Sequence, residues 1–253
     1  MDEPPCKVGV RLREFPYDPL LSRQELEEYL DKITREMQIL RQIRHQYIAC
    51  VIGHFQTGSS LVEVSDWFDG QSLEESWAEL EEESLLQKVA LMIKISQGLA
   101  FCHEKRVFHR NICGESILAD DEFGDIRIQR FQFAKNIELS QTLPTTELGK
   151  RDPRLFAPEE LEQNMVNPRL SDIFQTGVLF YRILENGKWP FESTMDYYTG
   201  NREINEWTTL YEETGESQIH SLIKEMLAPD PSHRTNLMPR VERSLNDILA
   251  VIG

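Results

Sequence analysis

The sequence predicts an α+β fold in two unequal parts: a small strand-plus-helix lobe over residues 1–66 and a larger, mainly helical lobe over residues 67–253. Three observations predict it. Strand-like alternation before residue 66 flanks a single long helical stretch. Beyond the connector Asp66–Gly70, two strongly apolar helical stretches mark helices buried within a larger core. Finally, 253 residues with 40% hydrophobic and 28% charged side chains suit one large domain or two small lobes. A cleft between the lobes is the default ligand site.

In chain order, Lys7–Leu12 reads as a short strand, with Val8, Val10 and Leu12 alternating against polar or small neighbours, and Pro16 and Pro19 break the chain after it. A helix follows from Ser22, its N-cap, to Arg44. Glu25 lies three residues after the cap, as in a capping box, and Ile33, Met37, Leu40 and Ile43 share one face. Strands over Ile48–Phe55 and Ser60–Ser65 are joined by the Thr57-Gly58 turn. The acidic Glu74–Glu83 segment reads as a solvated helix face. Leu85–His103 is a buried helix, and the short strands Ser116–Ala119 and Ile126–Gln129 flank a turn at Asp120–Asp125. Asn136–Phe156 has no period and reads as a long loop; Ser171–Leu184, Ser217–Leu227 and Met238–Ile252 read as helices.

The formal net charge of −16 disfavours nucleic-acid backbones and anionic membrane surfaces as partners and suits a protein partner. Cys6, Cys50, Cys102 and Cys113 form no CxxC pair, so they read as thiols in a reducing compartment. The N-terminus MDEPPCK precedes no apolar leader, and no uninterrupted apolar run approaches the roughly 18 residues a spanning helix needs. The expectation is a soluble, cytoplasmic protein.

The stretch Val107–Lys135 organises the rest, and with its neighbours it carries a resemblance. Val8-Gly9-Val10-Arg11 looks like the strand motif V-A-I-K; the register Val10-Arg11-Leu12-Arg13 is the alternative, with Arg13 in the lysine position. Glu36 with Ile39-Leu40 is similar to the glutamate-bearing regulatory helix. Ser65 matches a gatekeeper, Asp66-Trp67-Phe68 a hinge, and Gly70-Gln71-Ser72-Leu73 the G-G-S-L after it. His109-Arg110-Asn111 looks like H-R-D, and Arg130-Phe131-Gln132 stands where D-F-G belongs. Ala157-Pro158-Glu159 is an intact A-P-E, Asp172 with Gly177 resembles D-x-W-S-x-G-V, and Asp230-Pro231 with Arg234 resembles D-P-x-x-R. The set, in register from Val8 onward, resembles the eukaryotic-type protein-kinase family. It implies a protein-kinase-like bilobal fold without the first strands and Gly-rich loop, since Gly9 is the only glycine in the first fifty residues.

Phosphoryl transfer asks a protein for positioned phosphates, metal sites and a base for the incoming hydroxyl. Against the family pattern, Asn111 replaces the catalytic aspartate and its amide is no carboxylate base. Cys113 replaces the catalytic-loop lysine, Ser116 the metal-binding asparagine, and Arg130 the metal-binding aspartate. The resemblance therefore implies a degenerate member, a pseudokinase: a protein-interaction or allosteric module, inactive in phosphotransfer, without ATP or Mg²⁺ as cofactor, in a larger protein or complex. The alternative is a nucleotide-binding enzyme with metal placed on Asp120, Asp121 or Asp125, or with residual kinase activity.

The resemblance assigns a vestigial cleft to Arg11, Glu36, Ser65, Asp66 and Phe68, with Arg11 or Arg13 paired to Glu36. It assigns structural roles to Leu40, Val51, His109 and Phe131 as a spine, to Asp172 under the His109-Arg110 backbone, and to Glu159 paired with Arg234. Arg130 is expected against Glu36 or Glu63. Ser140, Thr142, Thr145 and Thr146 are candidate phosphorylation sites, with Arg110 as the receiving cation. Trp189-Pro190-Phe191 is expected to pack the large lobe.

Overall fold

The computed structural model describes residues 9–137, 151–161, 167–193, 199, 203–209, 211 and 215–253. The four candidate phosphorylation residues, and Lys7 and Val8 of the first expected strand, lie outside them.

Strand β1 spans Val10–Pro16 and pairs antiparallel with β3 (Ser60–Asp66), which pairs with β2 (Val51–Gln56) to give the order β1-β3-β2. β1 thus continues four residues past the expected end at Leu12. Pro16 does not break it, because an edge strand tolerates a residue that cannot donate. β2 starts later than expected, at Val51, and carries a bulge between Val51 and Gly53. Ile48 instead forms a parallel bridge to Ile128, tying the small sheet to the body below.

Helix α1 (Arg23–Gln42) begins at the Ser22 cap. The Ser22 side chain accepts from the Glu25 N–H, and the Glu25 carboxylate accepts from the Ser22 N–H. Ile33, Met37, Leu40 and Ile43 are all buried. The helix packs on β2 and on a 3₁₀ turn at Phe131–Phe133.

The short strand β4 (Gln71–Ser72) and helix α2 (Trp77–Glu81) lead into α3 (Leu85–Glu104). By length and composition α3 is apolar enough to cross a membrane, yet it packs along α5 (Pro168–Leu184) and α7 (Met238–Ile252), the setting of a core helix. Gly98 lets α3 approach closely: a Cβ there would lie 2.6 Å from Ile128 Cδ1. Then come β5 (Val107–Phe108), a 3₁₀ turn at Gly114–Ser116, β6 (Ile117–Ala119), β7 (Ile126–Ile128) and β8 (Lys135–Asn136). β4, β6 and β7 form one small sheet, and β5 pairs with β8. Helices α4 (Pro158–Leu161), α5, α6 (Glu216–Met226) and α7 follow among the described residues. Phe191 is buried with its ring stacked on Phe174.

The acidic segment is not simply a solvated face. Glu74 forms a two-pronged ion pair with Arg182 of α5 at 2.8 and 2.9 Å, Glu75 accepts from the Ser72 hydroxyl at 2.6 Å, and Leu80 is buried. Arg182 is sandwiched between Trp77 at 4.7 Å and Trp189 at 4.2 Å. Charge density on a short segment hid one carboxylate paired across the fold.

Candidate functional site

Alternation along β1 puts Arg11, Arg13 and Phe15 on one face and Val10, Leu12 and Glu14 on the other. Arg13 lies opposite Glu63 in the β1–β3 register, and its guanidinium is 3.9 Å from the Glu36 carboxylate of α1. The structure thus selects the Val10-Arg11-Leu12-Arg13 register and corrects the pairing of Arg11 with Glu36. Arg11, one pleat earlier, donates to Gln129 Oε1 at 3.1 Å. One partly exposed guanidinium therefore faces two buried carboxylates. Glu36 Oε1 and Glu63 Oε2 lack hydrogen-bond partners among the described residues. Burial pushes the Glu36 carboxyl up to about 7; Arg13 opposes the rise and Glu63 adds to it. Burial also raises Glu63, against Arg13 and Arg11.

Below, Asp172 of α5 is fully buried and accepts from the backbone N–H groups of His109 at 2.9 Å and Arg110 at 2.7 Å; His103 Nε2 lies 2.8 Å from it. His109 Nε2 lies 2.9 Å from the Gln129 carbonyl, and its ring tilts onto Phe131 at 4.5 Å. Burial holds the His109 pKa below its ordinary value. Leu40, Val51, His109 and Phe131 are all buried. Glu159 and Arg234 form a two-pronged pair at 2.7 and 2.8 Å.

The positions that depart from the catalytic pattern are absorbed into local structure. The Ser116 hydroxyl accepts from the Cys113 N–H at 3.0 Å and donates to the Cys113 carbonyl at 2.8 Å, closing the Gly114–Ser116 turn on itself. Burial pushes the Cys113 thiol up. Asn111 is buried, and its N–H donates to His109 Nδ1 at 3.3 Å. Arg130 pairs with Glu115, which corrects the expected pairing with Glu36 or Glu63: both of those face Arg13 instead. Arg110 and Arg130 both adopt left-handed backbone conformations with φ of 64°.

A cavity of about 460 Å³ lies between the small sheet and the body, lined among others by Arg11, Trp67, Phe68, Gly70, Gln129 and Arg130. Of the residues expected in the cleft, Arg11 and Phe68 line it. Glu36 and Ser65 are buried away from it, and the Asp66 carboxylate turns aside to accept from the Cys50 N–H at 2.8 Å. Arg127 also contacts Asp66, at 3.7 Å, and covers the Phe68 ring at 4.8 Å.

Sequence reasoning missed Gln129, Glu115, Arg127 and Gln175. Gln175 binds the Ile112 N–H at 2.9 Å from one turn beyond Asp172, so the i, i+3 spacing on a buried helix was its available signal. Asp120–Asp125 is a turn, with the Asp120 carboxylate accepting from the Gly124 and Asp125 N–H groups at 2.6 and 3.0 Å.

A small sheet with one crossing helix, over a helical body with the cleft between, is a kinase-like α+β architecture. The protein kinase domain model matches residues 20–245, and the chain belongs to that family. It is 28% identical over 209 residues to Aurora kinase A-A of Xenopus laevis, covering 81% of this chain and 49% of that protein. It is 26% identical to CBL-interacting protein kinase 17 of Oryza sativa subsp. japonica over 82% of this chain and 45% of that protein. Aurora kinase C of Mus musculus is 28% identical over 85% of this chain and 75% of its own length. The chain spans about half the length of the first two relatives.

Proposed function

We propose that this protein-kinase-family chain is a pseudokinase, an interaction or allosteric module without phosphotransfer that requires neither ATP nor Mg²⁺. The carrying observation is that the cleft's cations are turned onto the protein's own groups: Arg11 reaches across to Gln129, and Arg130 is held by Glu115. A guanidinium at the Arg130 position repels a divalent cation, and the Ser116 hydroxyl is occupied within its own turn. Asn111, in place of a carboxylate, offers no base to an incoming hydroxyl at that position. A lobe boundary near residue 66, a protein partner and a cytoplasmic setting belong to the same reading. The Asp172, Glu159–Arg234 and His109–Phe131 contacts support a kinase-like shape held without the chemistry.

A thermal-shift titration with ATP and Mg²⁺, paired with a γ-phosphate transfer assay on general protein substrates, tests this. No metal-dependent stabilisation and no transfer are expected; robust stabilisation together with transfer overturns the reading. The names of the relatives favour a second reading, residual kinase activity with metal held at Asp120, Asp121 or Asp125. Alanine at all three positions abolishes nucleotide turnover under that reading alone.

A further inference from the structure

A cavity of about 570 Å³ lies apart from the cleft and shares none of its lining residues among those described. Its walls come from the His45-Gln46 loop after α1, the C-terminal half of α3, the first turn of α5 and the start of α7. The His103 ring of α3 lines it and is only 5% exposed. Its Nε2 lies 2.8 Å from the Asp172 carboxylate, and its Nδ1 is buried with no hydrogen-bond partner. A carboxylate only accepts, so Nε2 carries the proton, and Nδ1 of the neutral ring is a bare acceptor. Such a group takes its donor from water or from a ligand. The Glu104 carboxylate, 73% exposed, has Lys105 at 4.0 Å as its one partner among the described residues. Glu242 of α7 gives one oxygen to Gln97 at 2.9 Å, and its other oxygen bonds nothing among the described residues. Leu237, 45% exposed, adds an apolar surface.

We infer that this cavity takes an arginine side chain from a protein partner, with an apolar residue beside the arginine resting on Leu237. Acceptors line the cavity from both α3 and α7. A guanidinium carries five donors in one plane, enough to serve Glu104, Glu242 and His103 together, whereas lysine offers a single compact head. Two cations oppose this choice: Arg169, whose guanidinium lies 5.9 Å over the Phe108 ring, and Lys105, 5.5 Å over the Phe101 ring. Against Glu104 and Glu242 they cancel locally, and the net charge of −16 then decides for a cationic ligand. An anion fits only if the His103 ring is protonated, so that both of its nitrogens donate. The His45 ring stacks on Phe101 at 5.0 Å. A partner bound here therefore meets the loop after α1 and the helical body at once, which suits an allosteric module.

This inference names the partner chemistry of the interaction role proposed above and rests on that role, but it fails separately: transfer assays judge the catalytic reading and peptide binding judges this one. The probes are a blocked leucine–arginine dipeptide and its leucine–glutamine and leucine–glutamate counterparts, titrated into the full chain with the histidine ring nitrogens followed by NMR. The arginine peptide is expected to bind at least about tenfold more tightly than the glutamine one, to move the His45 and His103 signals, and to weaken as salt rises. Replacing both carboxylates, Glu104→Gln with Glu242→Gln, is expected to erase the preference and keep the fold, since neither residue is buried. Glu104→Gln alone, at the more exposed position, is expected to reduce the preference and stands in if the double variant does not fold. Equal affinity for the arginine and glutamine peptides would mean a cavity filled by water or by the chain's own residues, and would overturn the inference. A preference for the glutamate peptide, binding that leaves the His103 signal still, or a preference that survives the double variant would do the same.

Discussion

Glu36 occupies the least comfortable setting of any charged residue in the small sheet and helix. It is 3% exposed, shares one partly exposed guanidinium with Glu63, and holds its proton up to about 7. The folded state therefore binds more protons than the unfolded chain between the ordinary value of 4.5 and about 7. The stability that proton contributes is fully present below 4.5 and is lost as pH rises toward 7. Two and a half pH units correspond to a loss on the order of 3 kcal/mol. His109 and His220, both held below their ordinary pKa by burial, give the opposite slope, with stability lost as pH falls through about 6.5. Denaturant titrations of the native chain and Glu36→Gln, repeated from pH 4.5 to 7, separate the effects. The variant is expected to lose the decline, and parallel curves for the two proteins would refute the assignment.

Arg130 illustrates a different residue-scale balance. Its ion pair with Glu115 lies at the surface, where such pairs contribute at most about 1 kcal/mol. Its left-handed backbone conformation costs about as much in any residue except glycine. Arg130→Gly is therefore expected to leave the unfolding midpoint unchanged or to raise it slightly, whereas Phe131→Ala one position on should lower it strongly. A loss above about 2 kcal/mol in Arg130→Gly would show that the guanidinium anchors the cleft.

At the scale of elements, α2 is fastened to α5 by Arg182, which meets Glu74 on one side and is flanked by the rings of Trp77 and Trp189. Removing one partner of a buried pair leaves the other uncompensated, at roughly 3–5 kcal/mol when both are fully enclosed. Glu74 is partly exposed, so Arg182→Ala should fall near 2–3 kcal/mol in chemical denaturation, with lost packing included. Arg182→Lys should recover little, since lysine neither forks onto the carboxylate nor stacks between indoles. This fastening also shows where sequence reading stops. The helices from Leu85 and Met238 were legible to within a residue or two, because apolar periodicity is local. The capping box at Ser22 and the turn at Asp120 were legible for the same reason. Glu74 and Arg182 lie 108 positions apart, and Arg11 and Gln129 lie 118 apart. No local pattern links such pairs, so acidic density read as solvation and the first strand was left open between two registers. The family motifs located the site, and side-chain geometry alone showed what fills it.

For the whole molecule, most of the buried apolar side chains among the described residues join one cluster, from Phe15 in β1 through Phe131 to Ile248 in α7. The waist between the small sheet with α1 and the helical body holds the Ile48–Ile128 strand bridge, the α1 contact with the Phe131–Phe133 turn, which rests on the His109 ring, and polar links that include Arg11–Gln129 and Arg127–Asp66. A continuous core with such a waist should unfold as one unit while the waist is intact and divide when it is cut. Phe131 is the point to cut, because it is 1% exposed and touches both sides. Phe131→Ala is expected to cost about 3–5 kcal/mol. More tellingly, it should make the two ends of the molecule melt apart. Exchange protection in β1–β3 and α1 should collapse at lower denaturant than protection in α3 and α5, whereas in the native chain they fall together. His109→Ala, which empties the other half of the same contact, should reproduce the division. Coincident loss of protection across both regions in both variants would mean that the strand bridge and the polar links couple them and that the ring stack is only filling.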